Sequence, residues 1–251
     1  MPTNQAVFGS NRLLNLVTDT CRKGFVHHCE LVSLNLGDVL FNPGDFIAHI
    51  YFPVKGIISW EKQIIGSPYL VITLIGNEGM LSIGLILDVN ISPCRAVVRK
   101  AGFALRIPVS AFVHQLEHNP PLRLVLKNYA FVAYSQAVQA AACNLFHQLE
   151  NRLARLLLMF QDRAKSDELH ITQELLAQML GVRRVGVTKA AGSLQRQNLI
   201  SYSRGNVIIH DTNGLKVLSC VCYQSDKLTY ANILHTQTNY IADVLPIQLP
   251  I

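Results

Sequence analysis

As far as about Ile107 the chain alternates short apolar runs with Gly and Pro: VLFNPGDF, IAHIYFPVKGIISW, YLVITLIGNEG and CRAVVRKAGFALRIP. Runs rich in β-branched and aromatic residues and bounded by turn formers predict strands. In HIYFPVKGIIS these residues flank Pro53 and Gly56, which reads as strand, turn, strand. The whole stretch predicts an antiparallel barrel or jelly roll.

From about Pro108 the pattern changes. Asn119, Pro120 and Pro121 form a helix start, after which Gly and Pro vanish for more than 40 residues and helix formers dominate. Two helices joined near Phe146 to Glu150 fit usual helix lengths better than one. Between Lys127 and Glu150 there are 22 residues without Asp, Glu, Lys or Arg. That length suffices for a membrane span, but Asn128, Gln136, Gln139, Asn144 and Gln148 interrupt it, and each amide needs a partner in lipid. Ala130, Phe131, Ala133, Tyr134, Ala137, Val138, Ala141 and Ala142 make this helix apolar on nearly every side, so it must be buried on more than one. Burial between the β domain and a second copy predicts a homodimer; burial within one monomer is the alternative.

A third region follows Asp167. Thr172 caps a short helix through Leu180, with Leu175, Leu176, Met179 and Leu180 inward and Gly181 ending it. A second helix runs from about Arg183 to Gln197, with Val187, Ala190, Ala191, Leu194 and Asn198 on one side. This is helix-turn-helix spacing. LISYS and NVIIH flank Arg204, Gly205 and Asn206, a hairpin signal that predicts a wing.

Charge sharpens the reading. The chain of 251 residues is 50% apolar and 15% charged, with 22 Lys plus Arg against 16 Asp plus Glu. Disorder is excluded as a description of the whole. Between Ile171 and His210 five cations, Arg183, Arg184, Lys189, Arg196 and Arg204, meet Glu174 alone, so +4 of the formal +6 sits there. Arg184, Val185, Thr188 and Lys189 share the helix face opposite the apolar one, suited to a major groove. Arg183 and Arg204 suit phosphates. Six scattered cysteines read as reduced, mostly buried thiols, and the N-terminus lacks the pattern of a secretory signal. Cytoplasm is expected.

In order and content these segments resemble the Crp/Fnr family of bacterial transcription regulators, over roughly residues 25 to 223. GDVLFNPGDFIAHIYFPVKGIIS, GNEGMLSIGLIL and SPCRAVV are similar to the family's β-roll, NPPLRLVLKNY to the start of its dimer helix, and ENRLARLLL with ITQELLAQMLGVRRVGVTKAAGSLQRQNLI to its hinge and winged helix-turn-helix. The resemblance implies an α+β chain with an antiparallel, jelly-roll-like sensor domain at 1–118 (cyclic-nucleotide-binding-like), a long dimerisation helix at 119–148 and a winged helix-turn-helix at 149–224. Residues 225–251 lie outside it. It further implies a homodimer on a two-fold symmetric operator, with RNA polymerase as a partner. The family often reads bases through an Arg, then a Glu followed four residues later by an Arg; here Arg184, Val185 and Lys189 stand in those places, so the acceptor for cytosine N4 is missing.

The sensor signature also departs. Gly79, Met80, Leu81 and Ser82 replace the Gly-Glu-Leu-Gly-like segment, and Cys94 and Arg95 the Arg-Ser pair, so the ribose carboxylate is absent and the effector is left unassigned. No N-terminal four-cysteine group is present for an iron–sulfur cluster. His27, His28 and Cys29 are weak metal or haem candidates, because neighbours on a strand point opposite ways. No cofactor, metal or catalytic residue is expected; Cys220 and Cys222 read as buried rather than as a redox pair. Two alternatives remain at this stage: a metal-dependent jelly-roll enzyme, with His49 its main added candidate, and a dimeric interaction module without DNA readout, for which Gly186 and Gly192 inside the second helix speak.

Overall fold

The computed structural model describes residues 10–235. After a short 3-10 turn at Leu14–Leu16 and helix α1 (Asp19–Val26) come strands β1 (Glu30–Leu34), β2 (Val39–Phe41), β3 (His49–Lys62) and β4 (Leu70–Ile75), a second turn at Ile83–Leu87, and β5 (Arg95–Pro108). They form one antiparallel sheet in the order β1-β5-β3-β4, with β2 also paired to β5.

The turn expected at Pro53–Gly56 is not one. β3 runs through it without a break, and its pairing with β5 only shifts register between Pro53 and Ile58. Gly56 takes φ +109°, and a Cβ on Gly102 opposite would lie 2.0 Å from the Lys55 carbonyl oxygen. Two glycines thus let the backbones touch at a bulge, which bends the long β3–β5 pair instead of ending it. The bent sheet rolls around Phe25, Phe52 and Phe112; Phe25 meets each of the other two rings edge to face, Phe52 at 5.6 Å.

Helices α2 (Val109–His118), α3 (Pro120–Phe146) and α4 (Leu149–Ala164) follow, the break between the last two falling at His147 and Gln148. Leu122, Leu126, Tyr129 and Val132 of α3 close the β core. The third region forms β6 (Glu168–His170), α5 (Gln173–Leu180), α6 (Arg184–Arg196), β7 (Ile200–Ser203), β8 (Asn206–Ile209) and α7 (Thr212–Leu218). The wing has three strands in the order β6-β8-β7, not two. β6 was hidden in the sequence because three residues, Glu168, Leu169 and His170, show too little alternation to read as a strand. The second core joins Leu153, Leu157, Leu176, Val187 and Leu194 to Ile57, Val71 and Leu74 of the β-roll, so the two cores share a boundary at β3 and β4.

The last element, α8 (Cys222–His235), runs across residues 224 and 225 without interruption; residues 236–251 lie outside the described part. It returns from the wing side to lie along α3. Tyr230 and Leu234 enter the β core, and the Tyr230 hydroxyl donates to the Glu78 carbonyl oxygen at 2.8 Å. Asp226 pairs with Arg155 of α4 at 2.5 Å, both nearly buried. Burial pushes the Asp226 carboxyl up while Arg155 opposes the shift. Such a pair stabilises little in net terms, yet removing one member strands the other charge. Asp226→Ala is expected to lower unfolding free energy by about 3–5 kcal/mol in urea titrations, whereas Arg155→Met combined with Asp226→Leu recovers most of the loss.

Candidate functional site

The Thr172 hydroxyl caps α5, accepting from the Leu175 amide at 3.2 Å. Leu176, Ala177, Met179 and Leu180 are buried, and Gly181 at φ +63° turns the chain toward α6. On α6, Val187, Ala190, Ala191 and Leu194 are buried. Gly186 faces α4: a Cβ there would lie 3.1 Å from Leu149 Cδ2, so its lack of a side chain lets the helices approach. Asn198, expected on the buried side, is exposed with φ +57° and lies past the helix end. An αL asparagine is a usual way for a chain to leave a helix.

Arg184, Val185, Thr188 and Lys189 all stand exposed on α6, Val185 at 66%. Gln173, which the sequence did not single out, organises them. Its Oε1 accepts from Arg184 Nε at 3.1 Å and from the Thr188 hydroxyl at 3.2 Å. The first turn of α6 contains no acidic residue, so the positive helix end and Arg183 and Arg184 coincide. Arg204 is exposed at the wing tip, where Arg204 and Gly205 both take positive φ, +49° and +83°, as a two-residue type I′ hairpin requires. The wing is anchored behind by Tyr202, whose hydroxyl donates to the Ile171 carbonyl oxygen at 3.0 Å. All six predicted DNA-contact residues are therefore exposed, on α6, at its N-cap Arg183, or on the turn between β7 and β8.

In the β-roll a cavity of about 280 Å³ opens between β4 and α3, walled mainly by apolar groups such as Trp60, Leu74, Met80, Ala133 and Tyr134. Its one charged wall residue is Glu78. Gly79 is pressed against Tyr129, since a Cβ there would lie 1.9 Å from the tyrosine oxygen. Arg95 is not part of the wall; its guanidinium lies over the Tyr69 ring, 5.1 Å from the centroid. A buried phosphate would meet no cation here, and that is costly. Saturating cyclic mononucleotide is accordingly expected to leave the thermal unfolding midpoint unchanged; a clear rise would contradict this reading of the cavity.

The cysteines do not behave alike. His27 and His28 are exposed, whereas Cys29 is buried and burial pushes its thiol up to about 12. His49 belongs to no convergent ligand group among the described residues. Cys143, Cys220 and Cys222, however, are buried together, with His147 beside them. Cys143 Sγ lies 3.5 Å from Cys220 Sγ, and Cys222 Sγ lies 3.4 Å from His147 Nδ1. The S–H of Cys220 holds the Cys143 thiol well below its usual range, with help from His147 and Arg155. The sequence signal was Cys-x3-His at 143–147 and Cys-x-Cys at 220–222. Each half is common, and 72 residues separate them, so only the fold reveals one group.

A family model described as a Crp-like helix-turn-helix domain matches residues 151–218. The global nitrogen regulator of Nostoc sp. (strain PCC 7120) is 22% identical over 181 residues, 68% of this chain and 81% of that protein. Among solved structures, FixK2 from Bradyrhizobium japonicum superposes with TM-score 0.67 at 12% identity, covering 76% of this chain and 98% of that one. The c-di-GMP responsive global regulator CLP from Xanthomonas campestris gives TM-score 0.65 at 16% identity, covering 78% and 100%. The Nostoc and Xanthomonas proteins are both described as global regulators. Among the described residues no helix is long and apolar enough to cross a membrane. Sequence motifs, the bent β-roll, the long helix and the matched domain converge: residues 151–218 are a Crp-like helix-turn-helix domain, and the whole chain is similar in fold to transcription regulators of the Crp/Fnr family.

Proposed function

We propose that the chain acts as a cytoplasmic homodimer reading a roughly palindromic operator through α6, with Arg184, Val185, Thr188 and Lys189 in the major groove and Arg183 and Arg204 on flanking phosphates. The observation that carries this is the exposed cationic face held by Gln173. Arg184 supplies a planar fork for guanine O6 and N7. Val185 brings only a hydrocarbon surface suited to a thymine methyl, so the operator differs from one read by a glutamate at that place.

Dimerisation rests on the uncovered side of α3. Phe131, Tyr134, Val138, Ala141 and Leu145 are exposed at spacings of three, four, three and four residues. That is the seam of a two-stranded coiled coil, left in water by a single chain. A two-fold axis along the seam sets two α6 helices about one DNA turn apart. RNA polymerase is the further partner that the resemblance to the Crp/Fnr family implies. The sensor ligand is unassigned; the apolar walls of the β-roll cavity favour an uncharged molecule over a nucleotide.

Selection of genomic fragments by purified protein is expected to recover a two-fold symmetric site. Arg184→Ala should weaken that site by about 1–3 kcal/mol and relax preference at one base pair. Arg204→Ala should weaken all sequences alike and flatten the salt dependence by about one unit of slope. Sequence-blind binding by the wild type would overturn the assignment of α6 as a reader. Phe131→Lys with Val138→Lys should yield a monomer in sedimentation and lose the palindrome.

A further inference from the structure

We infer that Cys143, His147, Cys220 and Cys222 form a binding site for one zinc-like divalent cation, and that the ion pins the end of α3 to the start of α8. This site does not depend on the DNA-reading proposal.

The four ligand atoms all lie within 4.8 Å of one another. In a tetrahedral centre with Zn–S bonds of about 2.3 Å, thiolates sit about 3.8 Å apart and a nitrogen slightly nearer. The observed 3.5 Å between Cys143 and Cys220 and 3.4 Å between Cys222 and His147 already match that size. So compact a set encloses one ion rather than a cluster, whose several metal atoms push their thiolates further apart. Soft sulfur ligands with one imidazole select zinc over magnesium or calcium. All four ligands come from fixed backbone: Cys143 in the last turn of α3, His147 at its C-cap, Cys220 just before α8 and Cys222 at its first residue.

The surroundings supply an independent argument. Gln139 Nε2 donates to Cys222 Sγ at 2.9 Å, the kind of outer hydrogen bond that orients a metal ligand. Two guanidinium groups, Arg152 and Arg155, act electrostatically on Cys143 and Cys220. The Nε atoms of both are buried without a hydrogen-bond partner, and among the described residues Arg152 has no carboxylate partner. Arg155 already has Asp226, so it is Arg152, half-buried with its Nε unpartnered, that calls for further negative charge nearby. Three thiolates around a divalent ion carry a net charge of −1, which meets that demand; three neutral thiols do not. The ion takes all three sulfurs as thiolates, so binding releases to solvent whichever protons they still carry and changes no oxidation state.

A disulfide between Cys143 and Cys220 is the competing use of the same sulfurs. It leaves Cys222, His147 and the Arg152 guanidinium unexplained.

The test uses the full chain, purified under reducing conditions, stripped with chelator and titrated with Co2+ and then Zn2+. One equivalent of Co2+ should bring thiolate-to-cobalt charge transfer and the strong visible bands of a tetrahedral site, bleached by Zn2+. His147→Ala, at a half-exposed position, should weaken Co2+ at least tenfold and alter the bands, and Gln139→Leu should weaken it about tenfold while keeping them. Cys21→Ser, outside the group, should match the wild type. Circular dichroism confirms that each variant is folded. Zn2+ should also slow amide exchange at residues 143–149 and 219–223 together. Absence of the cobalt bands in reduced wild type, bands unchanged in His147→Ala, or a mass two hydrogens lighter with no bound metal would each overturn the site. Binding without slowed exchange would overturn the pinning of α3 to α8.

Discussion

A helix that water tolerates on almost no side has to be covered, and the covering of α3 organises this molecule. Its uncharged stretch between Lys127 and Glu150 offers no face for solvent. The β-roll takes the side of Leu122, Leu126, Tyr129 and Val132. A second side lies under α8, where Gln139 and Cys143 meet Cys220 and Cys222. The third, from Phe131 to Leu145, is left in water by a single chain. Two of these coverings recruit the β-roll and the C-terminal helix, and in the proposed dimer the third recruits the partner.

Much of this was legible in the sequence because it rests on periodicity and local chemistry. Thr172, Gly181 and the alternation around Arg204–Gly205 are short-range signals, and the structure builds a cap, a left-handed turn and a hairpin from them. What escaped notice depends on distant partners. The bend at Gly56 needs Gly102 opposite it, and no window of sequence contains both. Gln173 looks like any first-turn glutamine until α6 lies across it. The cysteine and histidine group needs two helices to meet.

On the proposed reading, α6 illustrates how little a helix has to change to alter what it reads. The scaffold residues Val187, Ala190, Ala191 and Leu194 keep α6 seated whatever stands outside. Replacing an acceptor with Val185 leaves that packing untouched, since the valine is mostly in solvent. Fold and the proposed sequence preference are therefore carried by opposite faces of the same thirteen residues.

The path of α8 has a mechanical consequence. A DNA-binding unit joined to its sensor only by the linker at His147 and Gln148 is a free arm, able to swing about one pivot. Here the chain leaves the sensor through α3, crosses the helix-turn-helix and returns along α8 to end with Tyr230 and Leu234 inside the β core. That makes a closed linkage with two anchored ends. Its motions are coupled torsions in which the α3–α4 joint and the segment from Ser219 to Cys222 must move together, and stiffening either one stiffens both.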